Sequence, residues 1–140
     1  MSNCPETAEE FLSGQILLID KPLGWTSFDL VKKVKALIRT KYNLKKIKVG
    51  HAGTLDPLAT GLLIVCTGKF TKRISEIQEQ TKIYTGEITL GGTTPSYDLE
   101  TEVDTRYETS HITKKLIQHT TLLFTGELDQ KPPIFSALKR

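Results

Sequence analysis

The apolar positions of the chain fall into short runs with distinct periods. Gln15–Asp20 (QILLID) is a brief apolar run that predicts a buried strand. Lys21-Pro22-Leu23-Gly24 supplies turn chemistry after it. Thr26 or Ser27 can then cap a helix, with Asp29 in its first turn. Leu30, Val31, Val34, Leu37 and Ile38 form one stripe of that helix, which is predicted to run to about Arg39. Residues 50–61 read as a loop, because Gly50, Gly53, Pro57 and Gly61 punctuate them. Leu62–Cys66 is again a buried-strand run, and Phe70–Gln80 a helix with Ile74 and Ile77 inward.

Farther along, residues 82–90 alternate Ile83, Thr85, Glu87, Thr89 against Tyr84, Gly86, Ile88, Leu90, the period of a strand with one buried face. Residues 91–105 form a polar loop with room for one short strand. Ser110 is placed to cap a helix reaching about Phe124, with Ile112, Leu116, Ile117 and Leu123 inward and Gly126 as its stop. Lys131-Pro132-Pro133 reads as extended. The predicted fold class is therefore α+β, a mixed, mostly antiparallel sheet flanked by helices; no parallel βαβ alternation stands out. Residues 1–13 read as a flexible acidic arm, and 14–140 as one domain.

Composition narrows the class. Hydrophobic residues make up 38% of 140, enough for a core. The longest apolar run, Gly61–Cys66, is far short of the roughly 20 residues of a membrane span. Glu6, Glu9 and Glu10 precede the first base, Lys21, a pattern unlike a secretory or transit leader. Two cysteines, Cys4 and Cys66, make no disulfide framework, so a reducing cytoplasmic compartment is expected, with Cys66 packing as a small apolar group. Trp25, Phe28 and Tyr42 read as core or edge aromatics.

Charge changes the picture more. The net charge is only +3, yet residues 31–50 hold eight bases (Lys32, Lys33, Lys35, Arg39, Lys41, Lys45, Lys46, Lys48) and no acid. Residues 95–108 hold five acids against Arg106. The basic block suggests a polyanionic partner such as nucleic acid; a solvated helix face and polar loop would produce the same run.

The densest candidate chemistry lies between these features. Asp56 is the only carboxylate between Asp29 and Glu76. Pro57 biases it away from the helical region, and the neighbouring glycines allow close approach to the backbone. The loop leads into a predicted buried strand, a rigid support for a reactive side chain. A plain Asp-Pro turn is the simpler alternative. Other chemistries fail on pattern. Gly68-Lys69 lacks both the upstream glycine and the Ser/Thr of a phosphate-binding loop. Cys4, His51, Cys66, His111 and His119 have no metal-ligand spacing, so no metal is expected. The loop offers one carboxylate where a glycosidase needs two, and there is no nucleophile elbow. A single carboxylate can act as a nucleophile without a cofactor.

Lys48 through Lys72, read as KVGHAGTLDPLATGLLIVCTGKFTK, resembles the signature of the bacterial TruB family of tRNA pseudouridine synthases. Leu18-Ile19-Asp20-Lys21-Pro22, Lys82-Ile83-Tyr84 and Gln130-Lys-Pro132-Pro133-Ile-Phe-Ser136-Ala-Leu-Lys139 are similar to its flanking elements, so the likeness covers about residues 14–140. The resemblance implies isomerisation of uridine to pseudouridine at position 55 in the T-loop of tRNA, without cofactor, the target base being flipped from its stack. By match, Asp56 would be the catalytic carboxylate, attacking C6 of the base or C1′ of the ribose, or stabilising charge there. Tyr84 would stack on the flipped base, and His51 would touch the RNA and hold the T-loop open. Lys21 would order the site or meet a phosphate. Thr54 and Asp98 are carried as RNA-facing positions. Lys45, Lys46 and Lys48 would serve phosphates.

Two departures accompany the likeness. Where the family has Thr-Asp-Thr-x-Asp-x-x-Gly, this chain has Thr94-Pro95-Ser96-Tyr97-Asp98-Leu99-Glu100-Thr101, so only Thr94 and Asp98 match. The family also continues past the Ser-Ala-Leu-Lys element with more sheet and a Tyr-x-Arg segment that pairs with the aspartate. The chain is accordingly expected to be the N-terminal portion of a catalytic domain, weak in tRNA binding and turnover by itself, and a monomer when complete. The expected partner is tRNA, with no membrane. Two alternatives stand beside the enzyme: a non-catalytic RNA-binding or RNA-folding module, and the protein component of a guide-RNA-dependent synthase.

Overall fold

The computed structural model describes residues 5–129, in two compact units, Met1–Ile83 and Tyr84–Arg140. Gln130 to Lys139, whose Pro-Pro step the sequence reads as extended, lies outside the described residues, as does Cys4.

The first unit is built on a three-stranded antiparallel sheet of order β1-β3-β2, from β1 (Ile16–Lys21), β2 (Val49–His51) and β3 (Gly61–Thr67). β1 runs the length of β3, from Ile16↔Cys66 to Lys21↔Gly61, and β2 pairs Val49↔Thr67 through His51↔Val65. The central strand is the predicted apolar run, and its alternate residues face opposite layers. Leu63 and Val65 pack with Leu30 of helix α2 (Ser27–Lys41). Cys66 packs with Ala52 and Ile77, the latter on helix α3 (Ile74–Gln78). Burial pushes the Cys66 thiol up, in keeping with a packing role. A 3₁₀ turn, Gly68–Arg73, replaces the first part of the single helix predicted there.

Helix α2 forms where its cap and stripe predict. Thr26 accepts from the Asp29 amide while the Asp29 carboxylate reaches back to the Thr26 amide, a complete capping box. Ser27 is not the cap.

The N-terminal segment differs from expectation. Ala8–Ser13 is a helix, α1, with its own capping box: Thr7 accepts from the Glu10 amide at 3.3 Å, and Glu10 accepts from the Thr7 amide at 2.9 Å. Phe11 is buried with Ile38 and Ile47, and its ring lies 5.6 Å from that of Tyr42. Acidic composition suggested an arm; one apolar side chain and one capping pair make it a packed element. Buried Thr67 ties α1 to the sheet, donating to the Phe11 carbonyl at 2.9 Å and accepting from the Gln15 amide at 3.1 Å. Gly68 follows at φ +53°, where a Cβ would run into the carbonyls of Phe11 and Leu12.

The alternating segment 82–90, which begins at the end of the first unit and continues in the second, departs from the sequence reading. It holds no strand and stays exposed, Ile88 at 89%. Alternation marks a strand only if a neighbour supplies the ladder, and none pairs with it among the described residues. The polar stretch after it forms a small hairpin, β4 (Gly92–Thr93) with β5 (Thr105–Arg106). Helix α4 spans Lys114–Leu122 and is capped by Thr113, not Ser110, whose amide instead donates to Glu108. Leu116, Ile117 and Leu123, predicted inward, are exposed. Among the described residues no helix is long and apolar enough to cross a membrane.

Candidate active site

Asp56 sits in the loop between β2 and β3, exposed at the start of a tight turn in which the Ala59 amide donates to the Asp56 carbonyl at 3.0 Å. The residues flanking it are fixed on both sides. Before it, the Ser27 hydroxyl donates to the Leu55 carbonyl at 3.0 Å and accepts from the Leu55 amide at 2.9 Å. Ser27 is buried at the first position of α2, so the latch is shielded from water. After it, the Pro57 carbonyl accepts from the Gly24 amide at 2.8 Å, which stitches the turn following β1 to the loop. The Asp56 carboxylate is thereby presented to solvent from a backbone held at both neighbours.

Lys21 forms the floor of this arrangement. Its side chain is fully buried at 0% exposure. The ammonium donates to the carbonyls of Trp25 at 2.6 Å and Pro22 at 3.1 Å, with that of Pro57 at the 3.5 Å limit. Desolvating an ammonium costs several kcal/mol, and charge-assisted bonds to carbonyls offset only part of that. The buried Lys21 ammonium is thus engaged by carbonyls of the turn after β1 and of the Asp56 loop.

His51 ends β2. Its Nδ1 lies 2.5 Å from the Gly53 carbonyl; a carbonyl only accepts, so Nδ1 carries a proton there and Nε2 is the ring nitrogen left free of that contact. Thr54 is exposed two residues before Asp56. The structure brings Lys21 against the loop that carries Asp56, at the Pro57 carbonyl; His51 ends the strand before that loop, and Thr54 lies within it. Ser27 belongs to that arrangement as well, although sequence reasoning had treated it only as a cap candidate. A serine directly after a good N-cap was the one available signal.

Tyr84 and Asp98 lie in the second unit. Tyr84 is 72% exposed, with a free ring rather than a core one. Asp98 organises its own loop: the Ser96 hydroxyl and the Glu100 amide beside it hold its carboxyl below the usual range. Its carbonyl accepts from Thr94 at 2.6 Å, so the two residues that match the family pattern contact each other. Lys45, Lys46 and Lys48 are exposed on the segment between α2 and β2. Lys46 and Lys48 share a cleft at the far end of the sheet; Lys45 is not part of its lining. Among the described residues no group of three or more His, Cys, Asp or Glu could hold a metal ion.

A loop carboxylate held by backbone latches at the mouth of an antiparallel α+β layer agrees with comparisons to known proteins. The profile of the TruB family pseudouridylate synthase (N terminal domain) matches residues 39–140. The chain is 64% identical over 135 residues to a tRNA pseudouridine synthase B of Flavobacterium johnsoniae, covering 96% of this chain and 59% of that protein. It is 57% identical to that of Parabacteroides distasonis over 93% of this chain and 55% of the relative, and 60% identical to that of Chloroherpeton thalassium over 89% and 51%. The chain belongs to the TruB family of pseudouridylate synthases. It spans a little over half the length of the curated relatives it matches.

Proposed function

We propose that the protein carrying this chain converts uridine to pseudouridine in the T-loop of tRNA, at position 55, and that Asp56 is its catalytic carboxylate. The observation that carries the reading is the exposed Asp56 on a loop latched at Leu55 and Pro57, within a chain whose relatives are named tRNA pseudouridine synthase B.

The reaction is an isomerisation. The glycosidic C–N bond breaks, the base rotates, and C5 bonds to C1′; the C5 proton is then lost while N1, freed from the sugar, takes one up, so the product is an isomer of the substrate. The base must leave the stack first. A carboxylate fixed in place can attack C6 of the base or C1′ of the ribose, or stabilise charge at the sugar, and each role needs it ionised and aimed. The free face of Tyr84 suits stacking on the extruded base. His51, with Nδ1 engaged by Gly53, offers Nε2 to the RNA. Thr54 and Asp98 shape the surfaces that meet the T-loop. Lys45, Lys46 and Lys48 contact phosphates and add affinity that salt weakens.

The test is incubation of the full-length protein with an unmodified tRNA transcript, followed by chemical mapping of pseudouridine. Modification of the T-loop uridine of the bare transcript is expected. Modification only after a guide RNA is added, or binding without modification, would contradict the reading.

A further inference from the structure

Four large apolar side chains of the first unit stand exposed around the Asp56 loop: Leu23, Trp25, Phe28 and Leu58. Single exposed apolar residues are ordinary on a protein surface. These four are gathered, because the turn after β1 and the loop before β3 are tied together. The Gly24 amide donates to the Pro57 carbonyl at 2.8 Å. The carbonyls of Trp25 and Pro57 both accept from the Lys21 ammonium, at 2.6 Å and 3.5 Å. Ser27 bonds the backbone of Leu55 in both directions. Residues 23–28 are thereby held against residues 55–58, with Asp56 between two of the tethered positions.

Two of the four are aromatic, and each is both anchored and open. Trp25 precedes the N-cap Thr26, its backbone fixed by Lys21 and by its own amide, which donates to the Pro22 carbonyl at 3.4 Å. It keeps 37% of its surface in water. Phe28 lies in the first turn of α2, with the Lys32 ammonium 4.5 Å from its ring centroid. That ammonium also pairs with Asp29 at 3.9 Å, and Phe28 remains 59% exposed. Neither ring joins a core cluster of the unit. Among the described residues the one aromatic pair is Phe11 with Tyr42, so neither ring is satisfied by another.

An enzyme that extrudes a nucleotide leaves the adjoining bases without a stacking partner. A fixed aromatic face replaces that partner and accepts any base, because every base has a π-face. Both aromatic rings sit on segments bonded to the loop that presents Asp56, which places them within reach of nucleotides next to the target. The stack carries no charge, so it is separable from any phosphate contact by its salt response.

We infer that Trp25, with Phe28 on the same ledge, is a stacking platform for an unpaired base adjoining the target nucleotide of the substrate RNA. The inference rests on the proposed tRNA substrate. The rings recognise and position; they take no part in bond making. Their effect is to favour the opened RNA loop over the stacked one, so that the target nucleotide stays at Asp56 once extruded.

The experiment uses the full-length protein. Trp25 is the single tryptophan of these 140 residues, and subtracting the Trp25→Phe protein isolates its fluorescence. That signal should be open to acrylamide in the free protein, then be quenched by the base and shielded from acrylamide when unmodified tRNA binds. Trp25→Leu keeps an apolar side chain but no π-face. It should weaken tRNA binding roughly fivefold to a hundredfold, with the logarithmic salt slope unchanged, and Trp25→Phe should restore most of the loss. An abasic nucleotide beside the target should cost the native protein a similar factor and the Leu variant nothing more. The fluorescence and abasic measurements on the native protein hold even if the Leu variant folds poorly. A Trp25 signal shielded in the free protein would overturn the inference, since another part of the full-length chain would then cover the ring. A lowered melting temperature with tRNA binding intact would overturn it too, leaving Trp25 as a staple of α2 only. None of these readouts requires chemistry. A protein that made no pseudouridine yet showed the Trp25 quench would contradict the proposed reaction and leave the platform standing.

Discussion

The hydroxyl of Ser27 and the backbone of Leu55 bond in both directions, at 3.0 Å and 2.9 Å, across 28 residues of sequence. One buried side chain thus satisfies both polar groups of the residue before the candidate catalytic aspartate. Ser27→Ala leaves a buried amide and carbonyl without partners, at about 1–3 kcal/mol. Melting should report that loss. Pseudouridine formation well below the melting range should fall by roughly tenfold to a hundredfold, mainly in kcat, because small displacements of a reacting group are costly. Native-like kcat in a destabilised variant would mean the latch holds the fold and not the carboxylate.

Lys21 gives a contrasting case. Its burial cost is large and its carbonyl bonds offset part of it, so the buried ammonium adds little or nothing to net stability. Lys21→Met is expected to change the unfolding free energy by no more than about 2 kcal/mol, while turnover drops roughly tenfold or more. A variant as active as the native protein would show that the ammonium does not order the loop.

The N-terminal helix is testable by stability alone. Thr7→Ala removes a cap worth about 1 kcal/mol, and Phe11→Ala empties a core position at about 3–5 kcal/mol. Urea unfolding should register both. A loose arm would register neither.

The capping carboxylates fix the acid response. The Thr26 hydroxyl, then the Thr26 amide, hold Asp29 below its ordinary value of 3.8, and the Glu6 and Thr7 amides do the same for Glu10 below 4.5. A carboxylate depressed in the folded state adds stability that is present above the unfolded value and is lost as pH falls through the folded one. Stability should therefore decline below about pH 4.5. Asp29→Asn should flatten that decline, as followed by melting at stepped pH; an unaltered profile would show that the Thr26–Asp29 box contributes nothing to it.

What the sequence disclosed follows from how local each signal is. Helix α2 was legible because its cap and stripe lie within one segment, and β3 because a run buried on both faces needs no partner to be recognised. Segment 82–90 was misread because its period matches a strand while the ladder depends on another segment. The α1 helix was masked by its acids, two of which, Glu9 and Glu10, lie in the first turn where helices favour them. At the site, Asp56 stood out by composition and likeness. The latch by Ser27 did not, since it reaches 28 residues along the chain, nor did the burial of Lys21, whose carbonyl partners include Pro57, 36 residues away, beside Pro22 and Trp25.

The most direct test of the account is Asp56→Asn in the full-length protein, assayed on unmodified tRNA. The substitution keeps the side chain's size, and Ser27, Lys21 and Gly24 still hold the loop, so tRNA binding should stay within several-fold of native. Pseudouridine formation should fall below roughly a hundredth of the native rate, the loss expected when a nucleophile or charge-stabilising carboxylate is removed. Turnover above that level, with mass spectrometry showing no deamidation of the introduced asparagine back to aspartate, would contradict the assignment of Asp56 as the catalytic carboxylate.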